Sequence, residues 1–226
     1  MHPDKRCWKS AMEDEMESLK SNDVWELVSR PPGRKVVRNK WVYKVKIAAD
    51  GSLERHKARL VAKGFSQKHG QDYDETFSPV VRGETVRTIL AVCANKGLIL
   101  HQMDVTTAFL NGTLDEDVYM EQPEGFIMNP DLVCKLKRSL YGLKQSPRCW
   151  NVVLDEHLKN IGFAQHKEDP CLYTATGGET VIVAVYVDDI LIATETKNKM
   201  NHVKEMIAQR FNVRDLDQLK SSVVSR

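Results

Sequence analysis

Two adjacent aspartates stand in a setting that suggests chemistry. Asp188 and Asp189 separate two apolar runs, Val181–Val187 and Ile190–Ala193, so the sequence predicts a tight hairpin with both acids at its turn. Aspartate is a common turn residue, and a polar turn is one interpretation. Two ionised carboxylates in a partly buried place also need a counter-charge, which a divalent cation supplies through oxygen ligands. The residues alone leave the polar turn and the metal site open.

A third carboxylate, Asp104, comes at the end of another apolar run, Leu98–Val105. It also has two interpretations, because an aspartate here can cap a helix over residues 105–109 or bind a metal. Asp104 precedes Asp188 by 84 residues. Local sequence therefore cannot bring these carboxylates together, and only a known fold can do so.

Basic residues are concentrated in one segment. Residues 34–68 carry 11 lysines and arginines against two acids, a formal charge of +9 in a 226-residue chain whose total is +2. Apolar and basic side chains alternate over residues 40–47 and 55–63, and an Asp-Gly turn lies between them. The alternation predicts a β-hairpin with one apolar face and one basic face. Such a basic face is either simply solvated or binds phosphate groups.

The remaining pattern indicates an α+β fold with an antiparallel sheet, because helices interrupt the strands irregularly. Helical spacing, caps and stop signals predict helices over residues 8–20, 84–96, 146–162 and 197–210. Short apolar runs predict strands over residues 24–28, 98–105, 118–121, 133–136, 172–174, 181–187 and 190–193.

Several classes of protein are excluded by composition. The five cysteines are odd in number and form no Cys-x-x-Cys pair, which argues against a disulfide scaffold or a zinc knuckle. The first 25 residues contain no apolar run typical of a signal peptide. The most apolar stretch, Val181–Val187, is far shorter than the roughly 20 residues of a membrane span. We therefore expect no membrane partner and a cytoplasmic location, with a nuclear one also open.

Ordered sequence blocks resemble one family. Residues 186–189, Tyr-Val-Asp-Asp between two apolar strands, resemble the YxDD box of reverse transcriptases. Further blocks follow the order typical of the Ty1/copia class of long-terminal-repeat retrotransposons; they are residues 8–12, 24–28, 40–44, 57–65, 73–80, 102–112 and 139–147. The tetrapeptide alone is a weak signal, but the ordered blocks are specific. The chain is identified as a member of this class.

The resemblance implies the α+β fold of a right-hand polymerase, with an antiparallel palm sheet backed by helices. The domain would span residues 8–216, with fingers over about 24–80 and a palm over about 84–216, into which a fingers segment returns over about 113–147. No thumb is expected, and residues 217–226 would form a divergent, truncated tail that begins with Asp217, where the family usually has glycine. The alternative is a truncated, catalytically inactive remnant that at most binds nucleic acid.

The implied reaction is RNA-directed DNA synthesis, in which deoxynucleoside triphosphates are joined to the 3′-hydroxyl of a primer paired with an RNA or DNA template. Two Mg²⁺ ions, which Mn²⁺ can replace, serve this transfer. The motif positions imply that Asp104 bridges both ions, that Asp188 is the second main ligand and that Asp189 is a weaker supporting carboxylate. The carbonyl of Val105 would complete the coordination of one ion.

The resemblance also assigns residues that would contact the nucleotide and the nucleic acid. For the incoming nucleotide they are three basic side chains and the backbone after Asp104, namely Lys57, Arg59, Lys63, Thr106, Thr107, Ala108 and Phe109. For template and primer they are Tyr141, Gly142, Lys144, Gln145 and Tyr186. Among the basic side chains, which are expected to share one strand face, Arg59 and Lys57 rank first. Phe109 would be an aromatic gate that excludes a ribose 2′-hydroxyl, or else a core residue of its apolar run.

Overall fold

The computed structural model describes residues 4–48, 50–175 and 177–218. They divide into two compact units. The first unit comprises the described parts of Met1–Phe77 together with Phe109–Trp150. The second unit comprises Ser78–Ala108 and the described parts of Asn151–Arg226. The assignment of fingers and palm, with its boundaries, stays a prediction, and most of the expected tail lies outside the described residues.

Helices and strands alternate irregularly along the chain. The helices are α1 (Lys5–Ser21), α2 (Gly83–Lys96), α3 (Ser146–Asn160) and α4 (Lys197–Ala208), with short 3₁₀ turns at Gly64–Ser66 and Ala108–Asn111. The strands are β1 (Trp25–Ser29), β2 (Val36–Val37), β3 (Asn39–Ile47), β4 (Leu53–Ala62), β5 (Ile99–Val105), β6 (Tyr119–Met120), β7 (Leu132–Leu136), β8 (Phe163–Gln165), β9 (Leu172–Ala175), β10 (Val181–Tyr186), β11 (Asp189–Thr194) and β12 (Val213–Gln218). All predicted helices and strands are present within a few residues, whereas the sequence pattern did not predict β2, β8 and β12. Within the described ranges, no helix combines the length and apolarity needed to cross a membrane.

The basic hairpin of the first unit is confirmed. β3 and β4 pair in antiparallel register, with Trp41 opposite Leu60 on the apolar face. On the other face Lys44 lies opposite Lys57. α1 packs against β4, where the Glu15 carboxylate accepts a hydrogen bond from the Leu60 N–H at 3.2 Å. Positive charge collects on one face because the side chains of a strand point alternately to its two sides.

A four-stranded sheet, in the order β1-β7-β6-β2, completes the first unit. β7 pairs antiparallel with both β1 and β6, but β2 runs parallel to β6. The sequence pattern did not indicate this parallel pair, because β2 and β6 are short and are not joined by a hairpin. Val37, Met120 and Cys134 belong to the buried core beside this sheet.

A six-stranded antiparallel sheet, in the order β12-β5-β11-β10-β9-β8, forms the second unit. α2 covers one face of it, with Ile89 and Cys93 in a buried cluster that includes Ala193. α4 packs on β5 and β11 from the opposite face. Gly97 ends α2 in the left-handed conformation at φ +65°, as its position predicts. The predicted α+β fold, with an antiparallel sheet backed by helices, is confirmed.

Candidate active site

The turn between β10 and β11 differs by one residue from the sequence prediction. Asp189 is the first residue of β11 and pairs with Tyr186 of β10, so the two turn residues are Val187 and Asp188. Val187 has φ +56°, a left-handed conformation that β-branched residues rarely adopt. Such outliers cluster at functional sites, where the surrounding structure enforces them. The polar-turn interpretation therefore applies to Asp188, whereas Asp189 belongs to the sheet.

Asp104 lies in β5 directly opposite Asp189 of β11. The alternative that Asp104 caps a helix is wrong, because it is a strand residue and the next 3₁₀ turn begins only at Ala108. The Val105 N–H donates to the Asp188 carbonyl at 2.8 Å and so ties the turn to the end of β5. The antiparallel register thus brings together carboxylates that are 84 residues apart in sequence.

The Asp189 carboxyl has a pKa above its ordinary value. Burial is the main cause, and the negative charges of Asp188 and Asp104 add to it. Gln102 opposes the shift, since its Nε2 donates to Asp189 Oδ1 at 2.7 Å. In the described part of the chain, no lysine or arginine forms an ion pair with these three carboxylates. A crowded set of oxygen donors without a protein counter-charge fits a divalent cation.

Sequence reasoning missed two residues at this site. Gln102 lies in a block that resembles the family, but no role was assigned to it. The available signal was its position two residues before Asp104, because such residues of a strand share a face. Asn212 was also missed; its carbonyl accepts a hydrogen bond from the Thr106 N–H at 2.9 Å. No local pattern indicated this contact, because it joins segments that are distant in sequence.

The backbone after Asp104 is partly engaged within the protein. Because the Thr106 N–H already donates to Asn212, a triphosphate contact does not fit this amide. Thr107 has φ +56° and is thus a second left-handed residue close to the carboxylates in sequence. The nucleotide contacts of Thr107 and Ala108, and the metal contact of the Val105 carbonyl, stay predictions.

Three residues assigned to nucleotide or template binding meet in the first unit, at the ring of Tyr141. The guanidinium carbon of Arg59 lies 4.6 Å from the centroid of this ring. The ring centroids of Phe109 and Tyr141 are 4.7 Å apart, with the planes inclined at 60°. Phe109 is half-buried, and its carbonyl accepts a hydrogen bond from the Ser139 hydroxyl. Arg59, Tyr141 and Phe109 form one group, which we call the Tyr141 cluster.

Lys57 and Arg59 share the basic face of β4, but Lys63 does not. β4 ends at Ala62, and Lys63 follows with φ −85° and ψ 66°, where the backbone leaves the strand. The prediction that three basic side chains share one strand face is therefore wrong for Lys63. Lys57 has a pKa below its ordinary value because it is partly buried and lies near the positive charges of Arg59 and Arg55.

Gly142 and Gln145 have structural reasons for their residue types. Gly142 has φ +92°, and a Cβ there would lie 2.1 Å from the carbonyl oxygen of Ala62, so this position requires glycine. Gln145 is 1% exposed; its amide donates to the Asp72 carbonyl at 2.8 Å and its carbonyl accepts from the Gln67 amide at 2.9 Å. Gln145 is thus buried and satisfied by the protein, which corrects its assignment as a direct template contact.

Lys144 and Tyr186 stay candidates for contact with nucleic acid. In the first unit, the Lys144 ammonium lies 4.6 Å from the centroid of the Tyr73 ring and donates to its hydroxyl at 2.9 Å. In the second unit, Tyr186 is 54% exposed and lies opposite Asp189. A large exposed ring beside paired carboxylates is available for stacking on a base or a sugar.

A second group of ionisable side chains lies on β5 and β12. Ligand atoms of His101, Asp215 and Asp217 lie within 4.8 Å of one another, close enough to hold a metal ion. A protein cation is already present, because the Lys204 ammonium donates to the two carboxylate oxygens of Asp215 at 2.7 and 2.6 Å and lies 2.7 Å from His101 Nδ1. Although burial opposes it, the hydrogen bond from Lys204 holds the pKa of Asp215 below its ordinary value. We call this group the Lys204 cluster.

Asp217 occupies a backbone position that suits glycine. Its φ is +59°, and its N–H donates to Asp215 Oδ1 at 2.9 Å, next to an irregularity in the pairing of β12 with β5. Glycine adopts this conformation freely, which explains why the family usually has glycine here. Aspartate tolerates the left-handed region better than most residues do, so the fold accommodates the departure.

Residues 22–223 match the sequence profile of a family described as reverse transcriptase (RNA-dependent DNA polymerase). The chain belongs to the reverse transcriptase family. It is 45% identical over 219 residues to the retrovirus-related Pol polyprotein from transposon TNT 1-94 of Nicotiana tabacum, covering 95% of this chain and 16% of that protein. The corresponding polyprotein from transposon RE1 of Arabidopsis thaliana is 44% identical over 216 residues, covering 94% and 15%. These relatives confirm the copia class, and the chain spans about a sixth of their length.

A solved structure of the foamy viral protease-reverse transcriptase in complex with double-stranded DNA also aligns with this family member. The TM-score is 0.47 and the sequence identity 16%, covering 97% of this chain and 33% of the viral one.

Proposed function

We propose that this chain is the polymerase portion of an RNA-directed DNA polymerase, with the first unit as fingers and the second as palm. The observation that supports this best is the pairing of Asp104 with Asp189 across two strands, with Asp188 in the adjoining turn. Family membership names the reaction, and the crowded carboxylates are the ligands that such a reaction requires.

Asp104 and Asp188 would be the main ligands of two Mg²⁺ ions, which Mn²⁺ can replace, and Asp189 would support them. When bound, the ions would favour ionisation of the primer 3′-hydroxyl and stabilise the charge of the departing pyrophosphate. The protein places these carboxylates in advance, because the Val105 N–H holds the turn at the end of β5. Placement on paired strands keeps the reorganisation on binding small.

The first unit would bind the incoming deoxynucleoside triphosphate. Arg59 is the better candidate to bind its phosphates, because a guanidinium matches phosphate oxygens with two parallel donors and Tyr141 supports it from one side. Phe109, held against the same ring, would exclude a ribose 2′-hydroxyl. The basic face of the β3–β4 hairpin would bind the phosphate backbone of the template with a marked dependence on salt.

Primer extension on the full chain tests the proposal. An oligo(dT) primer on a poly(rA) template is supplied with dTTP and Mg²⁺, and in a second series with Mn²⁺. A variant with both Asp188→Asn and Asp189→Asn is compared with wild type, and Asp131→Asn in an exposed loop is the matched control. We expect extension by wild type and control, and none by the double variant.

Each other outcome has a distinct meaning. Folded wild-type protein that extends no primer would argue against polymerase activity in this chain. If that protein still bound RNA with salt-dependent affinity, it would fit an inactive remnant that binds nucleic acid through its basic hairpin. Equal extension by the double variant would show that these carboxylates do not carry the chemistry.

A further inference from the structure

Gln102 connects the two strands that carry the paired aspartates. It lies on β5 two residues before Asp104, and the two side chains therefore share one face of the sheet. Because Asp104 is opposite Asp189, Gln102 is a diagonal neighbour of Asp189, at a distance that a long side chain can span. The amide Nε2 of Gln102 does so and donates to Asp189 Oδ1 at 2.7 Å.

We propose that Gln102 is a positioning residue for cation binding at the three carboxylates. It holds Oδ1 of Asp189 toward β5 and thereby leaves Oδ2 as the oxygen that faces a bound cation. This inference rests on the proposed function, because it assumes that the carboxylates hold a cation. It concerns the orientation of Asp189 and not the chemistry of the transfer.

A neutral donor suits this place for a physical reason. Asp189 lies near the like charges of Asp104 and Asp188, so a carboxylate that nothing holds would rotate away from them. A lysine would hold it but would cancel its charge, as Lys204 does for Asp215. A glutamine amide carries N–H donors and no net charge. It therefore fixes the orientation and keeps the negative charge that attracts a cation.

Mn²⁺ binding to the full chain, measured by electron paramagnetic resonance without nucleotide or template, tests the inference. Gln102→Met keeps the side-chain volume and removes the amide, and we expect Mn²⁺ affinity to fall about tenfold, the usual size for a partner of a metal ligand. The matched control is Gln165→Met. Gln165 lies on β8 at the far edge of the same sheet, and its amide donates to the Pro170 carbonyl. Its substitution is expected to leave Mn²⁺ affinity unchanged.

A second variant separates orientation from folding. Gln102→Lys retains a donor but brings a positive charge, so we expect it to lower Mn²⁺ affinity more than Gln102→Met does. Melting temperatures within a few degrees of wild type identify the variants that are folded. A folded Gln102→Lys protein with wild-type affinity would contradict the role of the neutral amide.

The Asp189→Asn background shows whether Gln102 acts through Asp189. There, Gln102→Met should have no further effect on Mn²⁺ affinity, because the carboxylate that it positions is gone. An undiminished effect in that background, or wild-type affinity of Gln102→Met alone, would overturn the inference and leave the proposed function standing. Wild-type protein that binds no Mn²⁺ would instead argue against the proposed metal site, and against the inference with it.

Discussion

The two faces of β5 carry carboxylate groups that are balanced in different ways. On the face of His101, the Lys204 ammonium pairs with Asp215. On the face of Gln102, Asp189 accepts a hydrogen bond from a neutral amide, and no described lysine or arginine pairs with it. Neighbouring residues of one strand thus lead to opposite electrostatic solutions, because successive side chains of a strand point to opposite faces.

The pKa values of the two groups move in opposite directions. Lys204 holds the pKa of Asp215 down against the effect of burial, whereas burial and the neighbouring carboxylates raise the pKa of Asp189. A carboxylate that is paired within the protein stabilises the fold, but one that is crowded by like charges destabilises it until a cation binds. The comparison indicates a structural role for the Lys204 cluster and a binding role for the aspartates beside Gln102.

The largest expected effect separates the two faces by activity. Asp104→Asn should reduce the rate of primer extension about 1000-fold, because it removes several kcal/mol of charge stabilisation. Asp215→Asn should leave the rate and Mn²⁺ affinity near wild type while it lowers stability. Single-turnover primer extension measures the rates. A large loss of rate in a folded Asp215→Asn protein would break the comparison.

Removal of the protein cation should affect stability next most strongly. Lys204→Met leaves Asp215 and His101 without their counter-charge, and we expect the free energy of unfolding to fall by about 2 kcal/mol. The same change should let His101, Asp215 and Asp217 bind Zn²⁺, because their ligand atoms are close enough. Urea unfolding and Zn²⁺ titration measure the two effects. Unchanged stability would mean that Lys204 adds nothing to the fold.

The dependence of stability on pH should have opposite signs on the two faces. Without divalent cations at pH 7, Asp189→Asn should raise the free energy of unfolding by up to about 1 kcal/mol, because it removes like charges from directly opposite strand positions. That gain should shrink as the pH falls from the raised folded-state pKa of Asp189 through the ordinary carboxyl range. Urea unfolding between pH 3 and 8, roughly the range of carboxyl titration, measures it.

Asp215→Asn provides the matched comparison in the same experiment. It should lower stability at pH 7, since the pKa of Asp215 is held below its ordinary value in the folded state. The deficit should be complete above the ordinary carboxyl pKa and should disappear as the pH falls through the lowered pKa of Asp215. Curves of the same sign for both variants would contradict the assigned pKa directions.

The smallest expected effect concerns Asp217. Asp217→Gly should raise the free energy of unfolding by about 0.5 kcal/mol, because glycine adopts φ +59° without strain. The Lys204–Asp215 pair should be retained, so the response of stability to Lys204→Met should be the same in this background. A decrease in stability would mean that the Asp217 carboxylate contributes more to the cluster than its backbone conformation costs.

Sequence patterns were most successful where the structure is local. Period-two alternation predicted the two faces of the β3–β4 hairpin, and Gly97 marked the end of α2. Local patterns were least successful where burial or backbone direction decides. Lys63 lies one residue beyond β4, and Gln145 is spent on contacts with Gln67 and Asp72. A polar side chain can be read from sequence, but whether it faces solvent depends on what the fold packs over it.

The sequence by itself determined the family, the three candidate carboxylates and the basic hairpin, because motif order and strand periodicity are encoded along the chain. Only the tertiary structure decided that Asp189 belongs to the sheet opposite Asp104, and that Gln102 reaches Asp189. It also decided that Lys204 neutralises the neighbouring face. The physical reason is strand register, which joins residues 84 apart in sequence and moves a side chain to the opposite face when it shifts by one residue.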